Sequence, residues 1–353
     1  MATQQPLFED AFVRFPSTRY QGSKAKIVEW IIENIREFEF SNCLDAFGGT
    51  GVVGYHLKKE GKCVTYNDLL KFNYYFGLSL IENNETILEK NEIDFILSYH
   101  PQRKYPTFVQ DNFSDIYFND EENVWIDKII ANLKEFEDPY KFATGFFALC
   151  QACIIKRPYN LFHRKNLYIR NSEVERSFGN KTTWDKPFDF WFVNFVNEAN
   201  KAVFDNGKNN KSLNLNILEV PTDFDLVYID TPYISKRGVA VDYYGFYHFL
   251  EGLTIYDSWG KNIDYKSKHR RLKMRPNEWT NRKEIYSAFD NLFYRFKDSI
   301  LVVSYRSDGI PSENELETIM KKYKRNVRIE RFGNYKYVLS KNEKSQEILL
   351  IGF

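Results

Sequence analysis

A chain of 353 residues, 43% hydrophobic and 27% charged, has the composition of a folded protein with enough apolar residues for a large core, and its length suggests about two domains. A net charge of +1 excludes a partner selected by bulk charge and leaves local patches to decide binding. Four cysteines in a chain this long exclude a disulfide framework, and no run approaches the ~18 apolar residues of a membrane span. The start "MATQQPLFED" has neither the basic residues nor the apolar core of a signal peptide, so a cytoplasmic protein is expected.

In chain order, "GSKAKIVEWIIENI" places Ile27, Trp30, Ile31 and Ile35 at helical spacing, with Ser23 as the cap. "NCLDAF" reads as a short buried strand, "GGTG" as a turn and "VVGYHLKKEG" as a helix ending at Gly61. "KCVTYND" is the next strand and "LLKFNYYFGLSLIEN" the next helix. This β-α-β-α start predicts a parallel α/β sheet. From about residue 91 to 214 the alternation fails, and this stretch reads as an insertion. Within it, "GFFALCQACII" predicts a buried helix holding Cys150 and Cys153; zinc would need two more ligands, and no metal is expected. The α/β pattern returns with "FDLVYID" and "SILVVSY", then a helix near Ser312, which forms a capping box with Glu315. Three strand-like runs close the chain: "NVRIERF", "YKYVLS" and "EILLIGF".

Three short motifs carry chemistry. In "LDAFGGTGVVG", Gly48, Gly49 and Gly51 allow a tight turn and close approach of a ligand to a helix N-terminus; a purely structural turn is the alternative. Asp68 ends the next strand, near the ~20-residue offset at which an acid commonly holds ribose hydroxyls. "RYQGSK" precedes the first helix; the functional reading places Tyr20 and Lys24 near the same ligand, the lysine facing a carboxylate, and a solvated lysine at the helix start is the alternative. In "YIDTPY", Asp230 sits at a strand end, where ligands of open α/β sheets bind. An exocyclic amino group on a base is a poor nucleophile, because its lone pair is delocalised into the ring. Two acceptors on its N–H bonds return that lone pair. Asp230 can supply one and the backbone carbonyl of Thr231 the other, while Pro232 stiffens the turn and Tyr233 offers a ring for the base to stack on. The alternative is a strand-ending turn with a packed tyrosine.

"RYQGSK", "DAFGGTG" and "DTPY", in that order, with "VSYRSDGIPS" after them, resemble the motifs of the DNA adenine methylase family. The resemblance covers the N-terminal third and the C-terminal part. It implies a Rossmann-like methyltransferase sheet, mostly parallel with an antiparallel C-terminal strand, built from residues 1–90 and 215–353, with 91–214 as an inserted target-recognition domain. It implies S-adenosylmethionine as methyl donor, held by Tyr20, Lys24, Asp45, Phe47, Gly48, Gly49, Gly51, Asp68 and Asp230. Asp230, Thr231, Pro232 and Tyr233 align with the catalytic tetrapeptide, where the family usually has proline in place of Thr231.

Two basic segments fit the phosphates of double-stranded DNA, a solvated charged face being the alternative for each. The first, "KRPYNLFHRKNLYIR", contributes Lys156, Arg157, Arg164, Lys165 and Arg170. The second, "KSKHRRLKMR", contributes Lys268, Arg270 and Arg271. The expected activity is methyl transfer to a flipped adenine by a monomer, as the modification enzyme paired with a restriction endonuclease. The rivals are an amino-group methyltransferase for cytosine, RNA or protein, and a silent DNA-binding module on the same fold.

Overall fold

The computed structural model describes residues 13–172, 181–333 and 345–353. Seven strands form one sheet: β1 (Asn42–Asp45), β2 (Cys63–Asn67), β3 (Lys211–Leu213), β4 (Leu226–Ile229), β6 (Ile300–Arg306), β8 (Val327–Phe332) and β9 (Glu347–Gly352), in the order β3-β2-β1-β4-β6-β9-β8. A two-stranded sheet pairs β5 (Ile234–Ser235) with β7 (Gly309–Ile310). The pairs from β3 through β6 are parallel, while β9 runs antiparallel to both neighbours. This is the mixed, mostly parallel sheet of a Rossmann-like methyltransferase fold. The run "YKYVLS" and the start "MATQQPLFED" lie outside the described residues.

The strands read as near-continuous apolar runs because both faces are covered. Cys43, Val64, Leu226, Val302 and Leu349 face one core, whereas Leu44, Val227, Ile229, Val303 and Leu350 face the other. Helices α1 (Val28–Ile35), α2 (Val52–Lys59) and α3 (Lys71–Gly77) contribute to the first core. The helices Ile285–Arg295 and Glu313–Met320 contribute to the second. Ser312 caps the latter in the expected box with Glu315. Ser23 caps a 3-10 turn, Lys24–Lys26, that precedes α1.

Residues 90–202 are largely helical, with long helices at Asp120–Leu133, Pro139–Ile155 and Phe188–Ala202. They share the first core with the sheet. Cys150 and Cys153 are both buried in the helix Pro139–Ile155. One piece of the stretch read as an insertion is a sheet strand: β3 pairs with β2 through Lys211–Leu213. A strand of three residues is too short to show its period in sequence.

β1 is central. The chain leaves it outward through β2 and β3 on one side and through β4 and β6 on the other. The crevice between the carboxyl ends of β1 and β4 is therefore the switch point where ligands of such sheets bind.

Candidate active site

A cavity of about 620 Å³ opens at this switch point, within the usual range for a small-ligand site. Its walls include Tyr20, Lys24, Asp45, Phe47, Gly48, Gly49, Asp68, Asp230 and Pro232. The sheet register explains why the acids meet. Asp45 ends β1 opposite Tyr228 of β4, and Asp230 follows β4 two residues later. Asp45 is also opposite Tyr66 of β2, and Asp68 follows that strand.

Burial raises all three carboxyl groups above the usual range. Asp45 is pushed up to about 7, although Gly54 N–H donates to its Oδ2 at 3.0 Å. Asp68 is pushed up to about 6, against N–H donors from Leu70 (2.8 Å) and Gly49 (2.9 Å) and the Asn73 amide (3.1 Å). Those three donors fill three of the roughly four acceptor positions of a carboxylate, leaving one for a ligand hydroxyl. Asp230 is also pushed up to about 6 by burial; Lys24 lowers it and Glu347 raises it.

The carboxylate that Lys24 faces is the protein's own: its Nζ donates to Asp230 Oδ2 at 2.6 Å. Tyr20 is stacked between Tyr243 and Tyr247 with ring centroids 5.6 and 4.6 Å away. Phe47 meets Trp279 edge-on at 5.0 Å.

The glycine turn works differently from the expectation. A Cβ on Gly48 would lie 2.0 Å from the Tyr66 ring, so this cavity-wall glycine makes room for a core tyrosine. Gly51 has φ +81° as the residue before α2, a conformation disfavoured for any side chain.

Tyr233 also departs from the expectation. Only 8% of it is exposed, its ring packs edge-on against Tyr305, and it is not among the cavity-lining residues. Its hydroxyl lies 3.0 Å from Asp230 Oδ1 and 2.7 Å from Glu347 Oε1. The hydroxyl end of the ring is thus set between two carboxyl groups. Thr231 is buried beside it.

A model of the D12 class N6 adenine-specific DNA methyltransferases matches residues 20–319. The chain belongs to this D12 class. It is 30% identical over 346 residues to the type II methyltransferase M2.HphI of Haemophilus parahaemolyticus, covering 96% of this chain and 97% of that protein. It is 23% identical to the type II methyltransferase M.NlaIII of Neisseria lactamica, with 90% of each chain covered. Against the type II methyltransferase M.FokI of Planomicrobium okeanokoites the identity is 27%, over 86% of this chain and 47% of that protein. The protein is thus an adenine-specific DNA methyltransferase related to modification enzymes; it uses a methyl donor and acts on DNA.

For a D12 methyltransferase, the basic residues divide in an unexpected way. Lys156, Arg157 and Arg170 are buried and held by the protein itself, which corrects their reading as phosphate contacts. Lys156 and Arg170 both pair with Glu122 at 2.7 Å. Arg157 donates to the carbonyls of Tyr117, Leu161 and Arg164 and to the Asn166 side chain. A guanidinium buried in this way, with four of its five N–H groups so occupied, is not presented to DNA. Arg164, Lys165 and Lys268 are exposed, and Lys165 pairs with Asp115 at 2.9 Å. Arg270 donates to Tyr265 O at 2.9 Å and Arg271 to Asp264 at 3.2 Å, both partly exposed. The two basic segments meet at Tyr117, whose hydroxyl contacts the carbonyls of Phe162 (2.5 Å) and His269 (2.9 Å).

Sequence reasoning missed Glu347, Asn67, and the cavity walls formed by Tyr243, Tyr244, Arg275 and Trp279. Asn67 ties Ala46 O and Leu215 across the mouths of β1 and β2. Glu347 did carry a signal, as a carboxylate opening the otherwise apolar strand "EILLIG".

Proposed function

We propose that the methyl donor is S-adenosylmethionine and that Asp230 and the Thr231 carbonyl hold the amino group of an adenine flipped from duplex DNA. The observation that carries this reading is the placement of Asp230 in the cavity at the switch point, beside Asp45, Asp68 and the glycine turn. The acid-rich wall suits a cationic ligand, and the remaining acceptor position on Asp68 suits a ribose hydroxyl. Phe47 and Ile217 supply apolar surface. When bound, S-adenosylmethionine supplies an electrophilic methyl carbon on a sulfonium, so catalysis falls to alignment and to acceptors on the amino group.

Lys24 holds Asp230 in place through Oδ2, and we assign Oδ1, which lies 3.0 Å from the Tyr233 hydroxyl, to the amino group. Pro232 fixes the backbone after Thr231, and Thr231 needs only its carbonyl for this role. We assign target recognition to the middle stretch, together with the segment carrying Lys268, because exposed cations of both converge near Tyr117. The names of the relatives are those of type II methyltransferases; a role as the modification partner of a restriction endonuclease, as a monomer in the cytoplasm, belongs to this proposal.

The test is to incubate the protein with methyl-labelled S-adenosylmethionine and duplex DNA. Label at adenine N6, lost in Asp230→Ala, is expected. Label on cytosine or on protein overturns the reading.

A further inference from the structure

Glu347 is fully buried, yet it belongs to none of the motifs that define the site. Its Oε1 takes the Ser304 hydroxyl at 2.6 Å and the Tyr233 hydroxyl at 2.7 Å, with Lys24 Nζ at 3.7 Å. The same Tyr233 hydroxyl lies 3.0 Å from Asp230 Oδ1. A phenol has one proton and donates once. With that proton on the shorter contact, to Glu347, the contact between Tyr233 Oη and Asp230 Oδ1 is two oxygens facing each other without a hydrogen. That contact becomes a hydrogen bond when Asp230 acquires a proton.

Methyl transfer to an amino nitrogen leaves that nitrogen with one proton too many. We infer that Asp230, Tyr233 and Glu347 form an inward proton path, and that Glu347 is its terminal acceptor. The inference rests on the reading of Asp230 as the residue that holds the adenine amino group. As the new N–C bond forms, the donor keeps the electron pair of the carbon bond it gives up. One N–H bond then breaks and its pair stays on nitrogen. The proton goes to Asp230 Oδ1, the oxygen that Lys24 does not hold. Asp230 passes it to Tyr233 Oη, and the phenolic proton moves to Glu347 Oε1. One proton has crossed, and the methylated amine leaves neutral. After product release the same path runs in reverse.

The path points away from solvent, since Tyr233, Ser304 and Glu347 are all buried. Among the described residues, the charged and titratable groups facing it include Lys24, Asp45, Tyr228 and Tyr305, besides its own members. Tyr233 is therefore a relay, and Glu347 a positioning residue that acts through it.

Four variants test this: Glu347→Gln, Tyr233→Phe, the two combined, and Asp230→Asn. Single-turnover methyl transfer should slow about tenfold or more in each of the first two, with DNA and S-adenosylmethionine affinity kept and the D₂O effect on the rate changed. The double variant should be no slower than the worse single one, as expected for groups that act as a unit. In the free protein, acid titration followed by infrared spectroscopy should show a protonated-carboxyl band that is altered in Glu347→Gln and shifted in Tyr233→Phe. If Glu347→Gln does not fold, Tyr233→Phe, which leaves Glu347 its contact with Ser304, decides the matter alone. Wild-type rates and isotope effects in Glu347→Gln and Tyr233→Phe, with Asp230→Asn inactive, overturn the path alone. Multiplicative losses in the double variant, or one unchanged band in all proteins, also overturn it. Full activity in Asp230→Asn, whose amide oxygen accepts a hydrogen bond but takes up no proton, also overturns the path, whereas full activity in Asp230→Ala overturns the reading on which it rests.

Discussion

Lys24 and Asp230 are 206 residues apart in the chain and 2.6 Å apart in space, ammonium to Oδ2. The pair joins the turn before α1 to the end of β4 and sets the working range of the acid. Burial pushes Asp230 up to about 6 even with Lys24 lowering it.

As an acceptor Asp230 must be ionised. Single-turnover methylation should therefore hold above pH 7 and fall as pH drops through about 6. Lys24→Gln removes the nearby cation, so the carboxyl rises further and the acid limb should move up by about 1–3 pH units. A limb that stays put in Lys24→Gln would show that Asp230 does not control it.

Asp68→Ala should weaken S-adenosylmethionine binding far more than DNA binding. A hydrogen bond to a charged group is worth about 1.5–3 kcal/mol, or about 10- to 150-fold in Kd. Calorimetry with each ligand separately measures it.

Asp45→Asn should stabilise the free protein while weakening the methyl donor. The folded carboxyl sits at about 7 against an ordinary 3.8, because burial disfavours the charge. A raised folded value makes the group's contribution favourable at low pH and lost as pH rises through 7. The amide removes that loss, on the order of 4 kcal/mol above pH 7. The gain should fade below pH 4, where the acid is protonated in both states. Denaturant melts at pH 4 and pH 8 give the comparison.

Arg164→Ala with Lys165→Ala should weaken binding to all DNA sequences alike. It should also lower the log-log salt slope by about 0.9 for each phosphate the variant no longer neutralises. Arg157→Ala should instead lower stability by about 3 kcal/mol, since it strands buried carbonyls. Filter binding across salt and thermal melts separate the two outcomes.

The sheet is legible in the sequence wherever a strand has four or more residues and a run of apolar neighbours, as in "NCLD" and "LVYI". β3 is not, because three residues carry too little pattern. Asp45, Asp68 and Asp230 are legible because strand ends at a switch point are fixed by topology. Burial of individual side chains is not. Lys156, Arg157 and Arg170 look like surface cations in sequence, and the partner that buries two of them, Glu122, lies on a different helix. The orientation of Tyr233 escapes the sequence for the same reason. Its hydroxyl answers to Glu347, 114 residues away, which no local pattern connects to it.

By bonding the Leu161 and Arg164 carbonyls within the 158–166 loop, and the Tyr117 carbonyl beside it, the Arg157 guanidinium ties that loop to the rest of the protein. Tyr159 and Asn160 are held there at φ +63° and +57°, in a backbone region such residues seldom occupy. Arg164 and Lys165 are thus presented on a preformed frame, and little chain entropy remains to be lost when they meet a phosphate. On the proposed assignment of this loop to DNA, recognition there is rigid docking, with association limited by encounter rather than by folding of the loop.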